Sequence, residues 1–184
     1  MCGFWMSVFW IGGFRMCNPE RMDRLTPVER SAQMSRIRGT NTQPELLVRR
    51  VAHAAGYRFR LHGQVSAAEL ARARHRSPEV VFRGGKLPGR PDLVFSSRRK
   101  VVFVNGCFWH LHECTVGQHA PRTNGEFWAE KRRLTVERDA RAHAALASIG
   151  WEVLDLWECQ LKDPAVVLER LNAFLADEAG RGTG

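Results

Sequence analysis

The sequence predicts an α/β fold built as a single domain. Stretches with helical spacing alternate with short apolar strands, two of those strands are joined by a tight turn, and the chain ends in an amphipathic helix. At 184 residues the chain is long enough to bury a sizeable core but short for two domains. We therefore expect a mixed central sheet flanked by helices.

The first residues are not expected to belong to the domain. Residues 1–11 are apolar and aromatic, but they lack the basic start of a signal peptide and are too few to span a bilayer as a helix. Because Met22 offers a natural start, residues 1–21 are interpreted as a disordered extension or as sequence upstream of the true start. The domain then covers residues 22–178, and residues 179–184 form a disordered tail.

Helices and strands alternate from there onwards. Thr26 begins a short basic helix that Gly39 ends, and Thr42 begins a second helix that ends at Gly56, because each threonine opens a capping box. Residues 57–61 then alternate between apolar and polar side chains, as in a half-buried strand.

A hairpin follows the segment 63–86, which is interpreted as an inserted basic loop with a short helix at 67–74. Two prolines fix φ in the turn 87–91, and this turn begins a strand at 92–95. A second apolar strand at 100–104 pairs with it.

The last third of the chain predicts a helix, a strand and a helix. Asn124 is the expected N-cap of the first helix, which Gly150 ends, and residues 151–157 form the strand. Asp163 caps the final helix. The apolar stripe with which this helix should cover one sheet face comprises Val167, Leu168, Leu171 and Leu175.

Charge and cysteine content indicate the class of partner and the compartment. The net charge of +9, from 28 basic and 19 acidic residues, favours a polyanionic partner such as nucleic acid or an anionic membrane surface. Five cysteines without a secretory signal argue against a disulfide framework and for a reducing cytoplasm. We expect a monomeric cytoplasmic protein with no membrane association.

A cluster of metal ligands follows the strand 100–104. Cys107, His112 and Cys114 lie close together in sequence, and Cys159 follows a strand that could be a neighbour in the sheet. Three thiolates and one imidazole make a closed tetrahedral site of the structural zinc type. His110 has the same parity as His112, so spacing alone leaves the choice between these two histidines open.

A second, catalytic constellation is predicted at the hairpin. Asp92 at a strand end is well placed to bind Mg²⁺. His110, a few residues beyond the partner strand, can act as a general base towards water or as an acid towards a leaving oxygen.

Aromatic and basic residues are the candidates for contact with nucleic acid. Phe108 and Trp109 stand between Cys107 and the histidines and cannot all turn inward, and Trp128 is a third candidate, whereas Trp151 and Trp157 are expected to pack in the core. Phosphate contacts are expected from Arg30, Arg36, Arg38, Arg122, Lys131, Arg132 and Arg133.

An ordered set of motifs resembles a known family. The set is Leu87-Pro-Gly-Arg-Pro-Asp92, Val102-Phe-Val-Asn-Gly-Cys-Phe-Trp-His110, Cys114, Glu126-Phe-Trp128, Arg138-Asp139 and Gly150-Trp151 through Trp157-Glu-Cys159. It is similar to the very short patch repair DNA mismatch endonucleases, over about residues 22–175. The resemblance implies a restriction-endonuclease-like PD-(D/E)xK fold, a structural Zn²⁺ and Mg²⁺-dependent nicking on the 5′ side of the thymine in a T:G mismatch, which 5-methylcytosine deamination produces.

The resemblance also implies roles for individual residues. Asp92 becomes the acid that binds Mg²⁺, the main-chain carbonyl of Val104 its second protein contact, His110 the catalytic histidine, and Glu45 a further active-site acid. The implied zinc ligands are Cys107, His112, Cys114 and Cys159. Asn105 departs from the pattern, since the family often has histidine there. Two alternatives stay open: another PD-(D/E)xK nuclease, restriction-like or structure-selective, and a zinc-stabilised DNA-binding module without catalysis.

Overall fold

The computed structural model describes residues 40–121 and 124–176, and the secondary structure of these ranges follows the predicted order with one addition, a short helix at 115–118 that was not predicted. The helices are α1 (Gln43–Ala54), α2 (Ala67–Arg76), α3 (Thr115–Gln118), α4 (Gly125–Ser148) and α5 (Pro164–Leu175). The strands are β1 (Arg60–Leu61), β2 (Leu93–Phe95), β3 (Lys100–Asn105) and β4 (Glu152–Trp157).

The sheet is mixed, as predicted. Its strand order is β1-β2-β3-β4. β1 and β3 each pair antiparallel with β2, whereas β3 and β4 run parallel from the pair Lys100↔Glu152 to the pair Asn105↔Trp157. The predicted strand at 57–61 is reduced to Arg60–Leu61.

Helices cover both faces of the sheet, which confirms the α/β prediction. Because side chains alternate along a strand, Leu93 and Val102 join one core cluster with α1 and α5, while Val94 and Val101 join a second with α2 and α4. In α5 the buried residues are Val167, Leu171 and Leu175. Leu168, the other member of the predicted stripe, is only half-buried.

The segment 63–86 is more than an inserted loop. Ser66 and Glu69 form a capping box at the start of α2, which continues two residues past the predicted end to Arg76. Ala73 and Phe82 are buried in the second core cluster. The segment therefore contributes to the core as well as carrying basic residues.

The N-terminus of α4 differs from the prediction. Asn124 is the N-cap residue, but its φ is +55° and its side chain makes no capping hydrogen bond. Asparagine tolerates this left-handed conformation better than most residues, which accounts for its place there without a capping role.

Several predictions lie outside the described residues: the extension at 1–21, the helix from Thr26, the tail at 179–184, and Arg30, Arg36, Arg38 and Arg122. Within the described ranges, no helix combines the length and the apolar character needed to cross a membrane.

The topology gathers the predicted site at one edge of the sheet. β3 and β4 are parallel, so their carboxyl ends, at Asn105 and Trp157, lie side by side. β2 is antiparallel to them, so its amino end, next to Asp92, meets the same edge. The loops that carry Cys107 and Cys159 begin at this edge.

Candidate active site and metal centre

Asp92 is held at the sheet edge by the strand next to it. The backbone N–H of Val104 donates a 2.8 Å hydrogen bond to Asp92 Oδ2. N–H and C=O of one residue point to the same side of an extended strand, so the Val104 carbonyl also faces the Asp92 side. The Asp92 carboxylate and the Val104 carbonyl therefore lie on the same side of β3.

The turn before Asp92 depends on a glycine. Gly89 has φ +72°, and a Cβ there would lie 2.9 Å from both Ala142 Cβ on α4 and Phe103 Cζ on β3. Only glycine allows the turn to approach this closely. The close approach seats the turn between β3 and α4 and fixes where Asp92 enters the sheet.

The surroundings of Asp92 disfavour its anionic form. Burial, with a smaller contribution from the Glu45 carboxylate, raises the pKa of Asp92 from 3.8 to about 6, although the Val104 N–H acts in the opposite direction. Asp92 lines a cleft of about 200 Å³, together with Asn105, His110 and Asp139. A half-buried carboxylate that lines a cleft is suited to receive a cation.

Glu45 lies behind Asp92 and is fully engaged. Its buried carboxylate accepts hydrogen bonds from Asn41 N–H at 2.9 Å and Thr42 Oγ1 at 2.8 Å, and it pairs with Arg49 at 2.9 Å. The capping box predicted from the sequence is therefore present. Glu45 is also close enough to act electrostatically on Asp92.

His110 is paired with an acid on α4. Its Nδ1 lies 2.5 Å from Asp139 Oδ2, and Arg138 Nη2 lies 3.1 Å from the other oxygen of that carboxylate. Burial alone would raise the pKa of Asp139, but the hydrogen bonds and charges of His110 and Arg138 outweigh it and hold the pKa below its usual range. A residue that sequence reasoning gave no role, Asp139, thus orients the predicted catalytic histidine.

Asn105 belongs to a second polar network that the sequence did not indicate. Its Nδ2 donates 2.8 Å to Asp155 Oδ1, which also lies 3.5 Å from His143 Nε2. Burial raises the pKa of Asp155. His143 lines the same cleft as Asp92, so the cleft contains two imidazoles, those of His110 and His143. Asn105, where the family often has histidine, does not add a third.

Four predicted ligands meet beside this cleft. The ligand atoms of Cys107, His112, Cys114 and Cys159 all lie within 4.8 Å of one another. Zn–S bonds of about 2.3 Å place tetrahedral sulfur ligands about 3.8 Å apart, so small inward movements close a tetrahedron. His110 is not part of the cluster, so the structure separates the two histidines that spacing alone could not.

Hydrogen bonds connect the members of the cluster, and their thiols differ in pKa. Cys159 N–H donates 3.4 Å to Cys107 Sγ, and Cys114 N–H donates 3.3 Å to His112 Nδ1. Burial raises the pKa of Cys107 to about 12, whereas the His112 side chain and the Gly117 N–H lower the pKa of Cys114 to about 6. The three cysteines are free thiols.

Trp157 supports the cluster from β4. Its ring stacks on His112 with centroids 4.4 Å apart and an interplanar angle of 28°. Trp151, at the other end of the strand, is buried as predicted, at 6% exposure. Packing thus accounts for both tryptophans, and the Trp157 ring also orients the His112 imidazole.

Three predicted aromatic residues form one half-buried group next to the cleft. Ring centroids are 5.1 Å apart for Phe108 and Trp109, 5.7 Å for Trp109 and Trp128, and 5.9 Å for Phe108 and Trp128. Phe127, which was not predicted, extends the group towards solvent and is 58% exposed. Lys131 Nζ lies 5.3 Å from the Trp128 centroid and 5.4 Å from that of Trp109.

Two of the predicted phosphate-binding arginines have other partners. Arg132 is buried and donates to the carbonyls of Gly117 and His119, so it holds the segment around α3 in place. Arg133 is exposed but pairs with Glu130 at 2.7 Å and also with Glu137. The sequence shows how many basic residues there are, but only the fold shows which of them are already bonded to other protein groups.

Comparisons with known proteins agree with the motif set. The family model described as DNA mismatch endonuclease Vsr matches residues 22–69 and 72–116. The chain is 41% identical over 153 residues to the type II nicking enzyme V.XorIIP of Xanthomonas oryzae pv. oryzae, covering 83% of this chain and 96% of that protein.

Two other relatives have related names. The type II nicking enzyme V.NmeAIP of Neisseria meningitidis is 35% identical over 155 residues, covering 84% of this chain and 95% of that protein. The DNA mismatch endonuclease Vsr of Escherichia coli (strain K12) is 45% identical over 98 residues, covering 50% of this chain and 62% of that protein.

Proposed function

The chain belongs to the DNA mismatch endonuclease Vsr family and is a DNA endonuclease, and from that premise we propose that it nicks DNA on the 5′ side of the thymine in a T:G mismatch. The observation that carries this proposal is the cleft that Asp92, His110 and Asp139 line together. Such mismatches arise by deamination of 5-methylcytosine, so the reaction begins their repair.

Asp92 and the Val104 carbonyl would hold a catalytic Mg²⁺. Hard oxygen donors suit this ion, which takes few protein ligands and keeps positions for water and substrate phosphate oxygens. The raised pKa of Asp92 supports the assignment, because a cation offsets the electrostatic penalty of a half-buried carboxylate. When bound, Mg²⁺ would activate water and neutralise charge on the phosphate. Glu45, which is itself buried, adds negative charge behind Asp92.

His110 would transfer protons in the cleft. The short contact between its Nδ1 and Asp139 fixes the orientation of the ring and favours the tautomer with the proton on Nδ1. Nε2 is then free to accept a proton from water or, in its protonated form, to give one to the leaving oxygen. Asn105 is bonded to Asp155 and would act by shaping the cleft rather than by proton transfer.

Cys107, His112, Cys114 and Cys159 would hold a structural Zn²⁺. Four protein ligands leave no open position for water, which is typical of structural and not of catalytic zinc. Such an ion ties the loop after β3 to the end of β4. Phe108, Trp109 and His110 lie within that loop, so the metal would fix the residues that face the substrate.

Phe108, Trp109 and Trp128 would recognise the lesion by inserting into the base stack. Unstacking a base step costs a few kcal/mol, and a mismatched step resists less, so insertion itself discriminates. Lys131, which lies against these rings, would contact a flanking phosphate. Arg36, Arg38 and Arg122 remain candidates for further phosphate contacts.

A single assay tests the proposal. Purified protein is incubated with otherwise identical duplexes that contain T:G, T:A or C:G at one position, with Mg²⁺ or with EDTA. We expect a nick 5′ of the thymine only in the T:G duplex and only with Mg²⁺. Binding without nicking would leave a DNA-binding module. Equal nicking of matched duplexes would favour a nicking activity that needs no mismatch; two relatives are named type II nicking enzymes.

A further inference from the structure

A second groove lies at the opposite edge of the sheet from Asp92. It has a volume of about 640 Å³, and its floor includes Ala73 and Trp151. Arg99 lines this groove and directly precedes β3, whose six residues end at Asn105 in the catalytic cleft. At about 3.3 Å per residue the two sites are about 20 Å apart.

Basic side chains dominate the lining of this groove. Arg76 and Arg99 flank Gly150: a Cβ there would collide with Arg76 Nη1 and lie 3.8 Å from Arg99 Nη1. Gly150 has φ +76° and leaves the space that the Arg76 guanidinium occupies, where it donates 3.3 Å to the Ile149 carbonyl. Arg72 and His75 lie on the rim. The guanidinium groups of Arg76 and Arg99 therefore both lie next to Gly150, which has no side chain to keep them apart.

These charges have no acidic partner in the part of the chain that the structure describes. No ion pair joins Arg72, Arg76 or Arg99 to a carboxylate there. Glu69 lines the groove, but its carboxylate is already bound by Ser66 and by Arg60 at 2.8 Å. Burial alone would raise the pKa of Glu69, but the hydrogen bonds outweigh it and lower the pKa to about 2. The Glu69 carboxylate therefore stays bonded to Ser66 and Arg60.

The turn between β2 and β3 fixes the backbone at Arg99. Arg99 ends this turn with φ +51°, a left-handed conformation that asparagine adopts at lower cost, and its carbonyl accepts a 2.9 Å hydrogen bond from the Glu152 N–H. Guanidinium forks match phosphate oxygens, because they donate two parallel hydrogen bonds with the charge.

We propose that the groove formed by Arg76 and Arg99, with Arg72 and His75 on its rim, binds the phosphate backbone of a second stretch of DNA, away from the stretch in the catalytic cleft. The protein would thereby hold two DNA segments at opposite edges of one sheet. This proposal rests on the chain being a DNA endonuclease and not on its specificity for mismatches.

The test uses the full chain and two short duplexes. Protein is saturated with an unlabelled 12-base-pair T:G duplex without added Mg²⁺, and a second, fluorescently labelled matched duplex is then titrated in and followed by anisotropy. We expect the labelled duplex to bind as a third component, and the double variant Arg76→Gln/Arg99→Asn to weaken this binding at least about tenfold. Because this variant removes two phosphate-binding charges, the slope of log K against log salt should become shallower by about 1 to 2. Asparagine tolerates the left-handed position, which protects the fold.

Two further variants make the result unambiguous. Arg50→Gln/Arg58→Gln removes the same charge from exposed positions outside the groove and should leave binding of the second duplex unchanged. Arg72→Gln alters a rim residue without touching the Ile149 hydrogen bond and should weaken binding in the same direction even if the double variant fails to fold. The proposal is overturned if no second duplex binds, if both double variants weaken it equally, or if inorganic phosphate raises the melting temperature through these arginines while the duplex does not bind.

Discussion

The Val104 N–H lies 2.8 Å from Asp92 Oδ2 and ties the carboxylate of one strand to the backbone of the next. This bond orients Asp92 but satisfies only part of its charge. Burial and Glu45 still raise its pKa to about 6. Without a bound cation, the ionised form of Asp92 therefore lowers the free energy of unfolding, and this effect can be measured.

We expect Asp92→Asn to stabilise the metal-free protein above pH 6. Because the folded pKa exceeds the ordinary value of 3.8, the folded state binds a proton that the unfolded state has released between pH 4 and 6. Wild-type stability should therefore rise as the pH falls from 7 towards 4. Asparagine removes that dependence, so its advantage, about 3 kcal/mol at pH 7 to 8, should shrink towards pH 4. Urea unfolding without added Mg²⁺ at a series of pH values measures it.

The same variant should lose the response to Mg²⁺. A ligand that binds only the folded state raises its stability, so Mg²⁺ should raise the melting temperature of the wild type and not of Asp92→Asn. Nicking should fall by at least about a thousandfold, as expected when several kcal/mol of transition-state stabilisation are lost. Glu79→Gln, which changes an exposed carboxylate, is the control and should behave as wild type in both assays. A variant that still nicks would remove Asp92 from the site.

Most of the fold could be predicted from the sequence because its signals are local. Capping residues at Thr42 and Asp163, the proline turn before Asp92 and the apolar run of β3 are features of neighbouring residues in the chain. The strand predicted at 57–61 is longer than the observed Arg60–Leu61. The length of a strand depends on its partner, and only Leu93 and Val94 of β2 pair with this one.

The parts of the site that were missed depend on contacts between distant residues. Asp139 and His143 lie on a helix whose polar positions are equally consistent with solvent exposure, and only the packing of that helix over the sheet edge brings them to His110 and Asp155. Arg132 is the opposite case, a residue that was predicted to bind DNA and does not lie at the surface. Its charge indicated a surface role, but the fold buries it against two carbonyl groups.

Asp139→Asn should slow nicking while leaving the metal sites intact. An amide can still accept a hydrogen bond, but it does not stabilise the charged imidazolium or favour the required tautomer of His110. We expect a loss of about 10²- to 10⁴-fold in single-turnover rate at saturating enzyme, with DNA affinity unchanged. Because the pKa of Asp139 is held low, its contribution to stability is present at neutral pH and is lost as the pH falls through the folded pKa. The variant should therefore be less stable than wild type at pH 7 and similar to it at low pH.

His110→Gln and His112→Gln form a matched pair that separates catalysis from metal binding. His112 lies within the four-ligand cluster, whereas His110 bonds to Asp139. We expect about one zinc per chain for wild type and for His110→Gln by metal analysis, and much less for His112→Gln. Removing a structural ligand should also lower the melting temperature, because zinc binding contributes directly to folding. Zinc loss from His110→Gln instead would reverse the two assignments.

Trp109→Ala should remove discrimination between mismatched and matched DNA more than it removes binding. The ring packs with Phe108 and Trp128 in the group next to the cleft, and stacking of one aromatic on a base is worth about 1 to 3 kcal/mol. The ratio of nicking rates on T:G and T:A duplexes should therefore fall by about 10- to 100-fold. Trp109→Phe keeps a ring and should retain an intermediate ratio, whereas Val81→Ala, which trims a remote apolar side chain that is 70% exposed, should keep the wild-type ratio. If Trp109→Ala lowers both rates equally, the ring supports the fold of the loop and does not read the mismatch.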